Sequence, residues 1–138
     1  MTKEEKQLLL QDISARLPYG VFCVGTTYEL DDDGERYIPV KVKDTLSEIH
    51  NYKLETASVR LGLISSCKLE TVKPYLRTLS SMTEEEKEEL IKNFWGSHTA
   101  KDTFEESSWY LSKHFDINEL IPRGLAVEIT EENNPYKE

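Results

Sequence analysis

Glycine is scarce in this chain, six residues in 138, and neither G-x-x-x-x-G-K-S/T nor G-x-G-x-x-G occurs. Both patterns cradle phosphates with backbone N–H groups, so neither kind of nucleotide loop is present. Histidine is equally thin. His50, His98 and His114 stand apart, without the H-x-x-x-H or H-E-x-x-H spacing of helical zinc sites. No G-x-S-x-G elbow marks a nucleophilic serine. Cys23 and Cys67 have no cysteine or histidine two to four residues away, so no chelating motif forms around them. A disulfide between them would need an oxidising compartment, and a nucleophilic thiolate would need a base or cation beside it. Two buried free thiols are the expectation.

Long apolar runs are missing as well. Leu8-Leu9-Leu10 follows a mixed-charge start, Met1-Thr2-Lys3-Glu4-Glu5-Lys6, and is cut short by Gln11 and Asp12. That is neither a signal peptide nor a membrane span, and the expected location is the cytoplasm. Positive charge is also short: 17 Lys and Arg face 26 Asp and Glu, for a net charge of −9. The imbalance is local. Residues 1–78 carry 11 basic against 12 acidic side chains, whereas residues 79–138 carry 6 against 14. Phosphate backbones attract Lys and Arg, so the second half is poorly suited to nucleic acid.

What is present fits one α+β domain, 1–138, with a β-rich part at 19–79 and a helical part at 83–122. Thr2 and Glu5 form a capping box, and Leu9, Ile13 and Leu17 repeat at helical spacing. Pro18 predicts an end near Ala15 or Arg16. Residues 21–30 and 36–42 read as strands around Asp31-Asp32-Asp33-Gly34, a hairpin-turn signal. Three consecutive aspartates lack the alternating spacing of a calcium loop, so the turn reads as a solvated tip. Pro39 cannot donate to a ladder and predicts an edge or bulged strand. Thr45 and Glu48 repeat the box pattern and predict a short helix or turn through Ile49 and Tyr52. Strands are expected at 59–64 and 68–72. The sheet is then small and antiparallel, curled or barrel-like.

After Lys73-Pro74-Tyr75-Leu76-Arg77 the pattern turns helical. Thr83 to Glu86 is a third capping box, with Leu90, Ile91, Phe94 and Trp95 as its helix's apolar face and Gly96-Ser97-His98 as its end. A second helix is predicted from Asp102 or Thr103, boxed by Glu106, burying Phe104, Leu111 and Phe115. Residues 116–119 predict a short helical turn closed by Pro122-Arg123-Gly124, which makes two to three C-terminal helices. Residues 125–129 predict a possible last strand, and 130–138 a loose tail.

No cofactor and no catalytic residue is implied. The leading expectation is a non-enzymatic protein-interaction module, its acidic half steering it onto another protein, a basic partner. Lys73, Tyr75, Arg77, Glu84, Glu85 and Glu88 are the candidate interaction surface, with packing at the junction as the plainer role. Three rivals stand. The glutamates could mimic nucleic acid if they form one continuous stripe. An unrecognised enzyme site would need a pocket gathering at least two of the three histidines, Cys23, Cys67 and the carboxylates, with shifted pKa values. A small barrel for single-stranded nucleic acid would combine Tyr19, Phe22, Tyr28, Tyr37 and Tyr75 with Lys41, Lys43, Arg60, Lys73 and Arg77.

Several blocks are distinctive in combination: Leu17-Pro18-Tyr19-Gly20-Val21, Val72 to Arg77, Leu79 to Glu86, Phe115-Asp116-Ile117 and Leu120 to Ala126. On them the chain resembles a family of small uncharacterised proteins of gut Bacteroides genomes and their prophages and mobile elements. Members often have proline where this chain has Thr78. The resemblance implies a bacterial or phage intracellular protein and supplies no activity and no site residues.

Overall fold

The computed structural model describes residues 1–50, 53–94 and 100–137. Helix α1 spans Lys3–Arg16, and Thr2 caps it as the sequence predicts: Thr2 Oγ1 accepts from Glu5 N, and Glu5 Oε1 accepts from Thr2 N. Pro18 falls in the 3-10 turn Leu17–Tyr19 that follows. Strands β1 (Phe22–Leu30) and β2 (Tyr37–His50) form a long antiparallel hairpin. Strands β3 (Ser58–Leu61) and β4 (Ser65–Lys68) form a short one, and a 3-10 turn at Leu69–Thr71 leads into β5 (Lys73–Leu76). Helices α2 (Glu84–Phe94) and α3 (Ala100–Ser112) follow, then β6 (Val127–Glu128). The sheet order is β4-β3-β2-β1-β5-β6.

This is the expected α+β architecture, with one correction to the sheet: it is mixed, because β6 lies parallel to β5. It is not closed, which fits a curled sheet or a partial barrel. It is nevertheless rolled: a Cβ at Gly25 of β1 would stand 2.9 Å from Cys67 Sγ of β4. Only glycine permits that approach. Inside the roll Leu9 and Ile13 of α1 meet Val21, Cys23, Leu46, Val59, Leu61, Cys67, Leu69, Val72 and Leu76. Each fully buried aliphatic side chain contributes roughly 1.5–3 kcal/mol relative to exposure. The two thiols are free and buried, and burial pushes the Cys23 thiol up to about 12 and raises that of Cys67.

Several local expectations differ from the structure. Residues 44–50 continue β2 instead of forming a helix, and Tyr52, the end of that expectation, lies outside the described residues. A bulge at Ser47 lets Leu46 face Leu61 and Ile49 face Val59, so two core residues three apart imitate a helical period. Leu63 and Ile64 are not in a strand but form the β3–β4 turn, almost fully exposed, and the 68–72 strand is β4 ending at Lys68 followed by the 3-10 turn. Helix α3 starts at Ala100, so Thr103 lies inside it, and Phe104 is 72% exposed instead of buried. Residues 116–119 are irregular, Asp116 accepting from Leu120 N and Ile121 N at 2.9 Å each. Trp95 and the expected helix end at residues 96–98 lie outside the described residues.

Candidate functional site

Two regions bring chemistry-bearing side chains together. The first is the far end of the β1–β2 hairpin. Strand β2 pairs with β1 throughout Tyr37–Thr45, but β3 begins only opposite Leu46, and β5 pairs with β1 only at Cys23 and Val24. Among the described residues, therefore, no strand flanks Thr27–Leu30 or Tyr37–Lys43, and they project as a two-stranded arm. The register puts Tyr28 opposite Pro39 and Leu30 opposite Tyr37 on the outer face. Tyr28, Leu30 and Tyr37 are 52, 53 and 70% exposed, and Ile38 on the other face is 44% exposed. Lys41 opposite Thr26, and Lys43 and Lys73 flanking Val24, continue the outer face toward the body. Face membership follows from the pleat, which puts directly opposed residues on one side.

Backbone polarity along this arm is also determined. Leu46 N donates to Val21 O and Asp31 N to Arg36 O, both at 2.8 Å, at the two ends of the ladder. Hydrogen-bonded pairs alternate in an antiparallel ladder, so Ile38, Val40, Val42 and Asp44 spend their backbone groups on β1. Tyr37, Pro39, Lys41 and Lys43 turn theirs outward, and Gly62 N confirms the phase by donating to Thr45 O. Pro39 thus lacks an N–H where no neighbour needs one, which satisfies the expected edge position. At the tip, Asp31 Oδ1 accepts from Glu35 N and Gly34 N donates to Asp31 O, so Asp31 holds the turn.

The second region is the junction after β5. Arg77 gives Nη1 and Nη2 to the two Glu86 oxygens at 2.8 and 2.7 Å, bonds Ser81, and lies 4.2 Å above the Phe115 ring. Glu86 also closes the capping box with Thr83. The Arg77 hydrogen bonds, followed by that of Thr83 N, hold its carboxyl down to about 2. A cleft of about 660 Å³ opens beside this pair, with His114 and Tyr136 in its wall. His114 has φ +65 because it ends α3: its N–H bonds Leu111 O while Phe115 N bonds Tyr110 O. That is a Schellman closure, where glycine is usual. Its ring stacks on Tyr136 with centroids 3.7 Å apart, and Nδ1 is buried without a partner. Burial, then Arg16 and Arg77, lower its pKa to about 4. The tail is not loose. Tyr136 OH accepts from Phe22 N and donates to Tyr75 O, and burial raises its pKa.

The candidate surface read from sequence divides between these regions. Lys73 is exposed on the outer sheet face, Tyr75 is buried edge-on to Phe22, and Arg77 is committed to Glu86. Glu84, Glu85 and Glu88 are exposed on α2, but Glu86 turns to Arg77 and Glu89 accepts from Trp109 Nε1. Of the basic set, Lys41, Lys43 and Lys73 come together, whereas Arg60 pairs with Glu48. Among the described residues no group of three His, Cys, Asp or Glu could hold a metal, and no helix is long and apolar enough to cross a membrane.

Sequence reading missed three residues entirely. Asp12 and Arg16 are fully buried, paired through Nε–Oδ2 at 2.7 Å; Arg16 Nη2 donates to Phe115 O and Asn118 Nδ2 to Asp12 Oδ1. The only signal was their i, i+4 spacing beside the apolar stripe, which ordinarily marks a surface pair. Tyr136 gave no signal beyond being an aromatic residue in a polar segment. No protein-family model matches the chain, and no curated protein or solved structure matches it either.

Proposed function

We propose that this chain is a non-enzymatic protein-interaction module that docks through the β1–β2 arm. Its family resemblance would place it among phage or mobile-element proteins. The observation that carries the reading is the arm itself, two unflanked strands with Tyr28, Leu30, Tyr37 and Ile38 all at least 44% exposed. An isolated two-stranded ribbon is marginal in water, and exposed tyrosine and aliphatic clusters are typical of interface cores. The cleft supports chemistry less well. It does bring His114 and Glu86 together with shifted pKa values, as an enzyme would require. However, both shifts lead away from the neutral range that suits general acid–base work, and each group serves a structural contact. The nucleic-acid mimic is weakened because Glu86 and Glu89 leave the stripe for Arg77 and Trp109.

Tagged protein and its Tyr28→Ser/Tyr37→Ser variant test the proposal as baits in bacterial host lysate at low salt. The expected result is a partner captured by the wild-type chain and lost by the variant, with identical circular dichroism. Equal capture by both removes the arm from the proposal. One specific observation favours a second reading: Lys41, Lys43 and Lys73 share a face with Tyr28 and Tyr37. Binding of a thymidine oligonucleotide at ~50 mM salt, lost in the same variant, would select single-stranded nucleic acid instead.

A further inference from the structure

The open edge of β2 is a defined template. From Tyr37 to Lys43 it offers outward carbonyls at positions 37, 39, 41 and 43 and outward N–H groups at Tyr37, Lys41 and Lys43. At ~3.4 Å per residue that is an edge on the order of 20 Å, in line with β3, which occupies the same sheet position from Leu46 onward. Edges of this kind invite pairing, and proteins restrain them with proline and lysine. Here Pro39 deletes one donor, and Lys41 and Lys43 are exposed with no acidic residue among positions 37–43. Like charges opposing each other disfavour a second copy of this edge, while carboxylates opposite the lysines are favoured. The nearest carboxylates, Glu29 and Asp44, belong to the opposite face of the hairpin, and exposed charges beyond ~8 Å are screened at physiological salt, so the acidic remainder of the chain does not cancel this preference.

Resting on the interaction-module reading, we infer that the partner contributes an extended acidic segment that adds to the sheet as a strand along Tyr37–Lys43. Alternate carboxylate side chains of that segment lie over Lys41 and Lys43, and its apolar side chains, on the opposite face, extend the row of Ile38, Val40 and Val42. Main-chain bonds supply the affinity, and the lysines select for sign.

The test uses the full chain with a blocked Val-Glu octapeptide of alternating sequence, its Val-Lys counterpart and a thymidine oligonucleotide, followed by amide hydrogen exchange. With the Val-Glu peptide, exchange at Tyr37, Lys41 and Lys43 is expected to slow by at least ~10-fold, while Ile38, Val40 and Val42, already bonded to β1, change little. Lys41→Pro removes one outward donor without touching the β1 ladder and abolishes that protection. Should that variant fold poorly, Lys41→Glu/Lys43→Glu is the second probe, and it switches preference to the Val-Lys peptide. Peptide binding without protection of those three amides, or unchanged in Lys41→Pro, overturns strand addition and leaves docking by the arm's faces standing. Absence of binding by either peptide overturns the inference too, and the lysate capture above then decides the broader reading separately. Concentration-dependent protection in the free protein would make the occupant a second copy, and protection by the oligonucleotide alone would make it nucleic acid; each outcome overturns the acidic segment.

Discussion

The joint between α1, the 115–118 loop and the tail differs from the β1–β2 arm in how polar groups are used. At the joint Asp12 binds Arg16 and Asn118, Arg16 also donates to Phe115 O, and Tyr136 OH links Phe22 N to Tyr75 O; apart from the i, i+4 pair these bonds span 61 to 114 positions of sequence. On the arm, three N–H groups face outward and four large apolar side chains remain in water. Packing is concentrated at the joint, where Arg16 Nη1 and His114 Nδ1 are nonetheless buried without partners, while the open polar groups of the arm face water. Stability and recognition should therefore be separable by mutation.

Breaking the joint has the largest expected effect. Arg16→Met strands the buried Asp12 carboxylate, and a lone buried charge costs about 3–5 kcal/mol, measurable by urea unfolding. Arg77→Ala removes a bidentate pair of low exposure together with its stack on Phe115, and about 2–3 kcal/mol should follow in the same assay. Tyr136→Phe keeps the ring on His114 but strips the hydroxyl from Phe22 N and Tyr75 O, for about 1–2 kcal/mol. On the arm, Tyr28→Ser/Tyr37→Ser should shift stability by within about 0.5 kcal/mol while partner capture disappears. A large loss of stability there would erase the contrast between the two regions.

Acid sharpens the same contrast. The folded-state pKa of His114 is lowered to about 4 from an ordinary 6.5, so the unfolded chain binds the proton more readily. Its contribution is complete above pH 6.5 and is lost as pH falls toward 4. Glu86 is held down to about 2, so its contribution is complete above the ordinary 4.5 and is lost as pH falls toward 2. Thermal midpoints should fall in two stages on acidification, and His114→Gln should flatten the first stage while leaving the second.

How much of this was legible follows from which interactions are local. Thr2 with Glu5 and Thr83 with Glu86 satisfy their own helix ends, so their pattern survives in sequence. Thr45 with Glu48 carries the same letters, but β1 and β3 supply ladder partners on both sides and the strand wins. His114 ends a helix in a glycine-like conformation without glycine, so that stop was invisible. High β propensity marked residues 21–30 and 36–42 as strands, yet nothing in them says that their distal halves lack neighbours. Exposure of the arm depends on where β3 starts and β5 stops, which is a property of the assembled sheet. The strands could be anticipated; the open edge could not.

The Tyr136 hydroxyl, wedged between Phe22 and Tyr75, also bears on the order of events during folding. It joins residues 114 positions apart, so this last rung between the first and fifth strands closes one of the longest loops in the chain. Loop-closure entropy makes such contacts late. During synthesis Phe22 leaves the ribosome long before its acceptor exists, and the hairpin arm folds from neighbouring residues with no need to wait. The hairpin arm is thus formed early, and the seal that fixes the body arrives last.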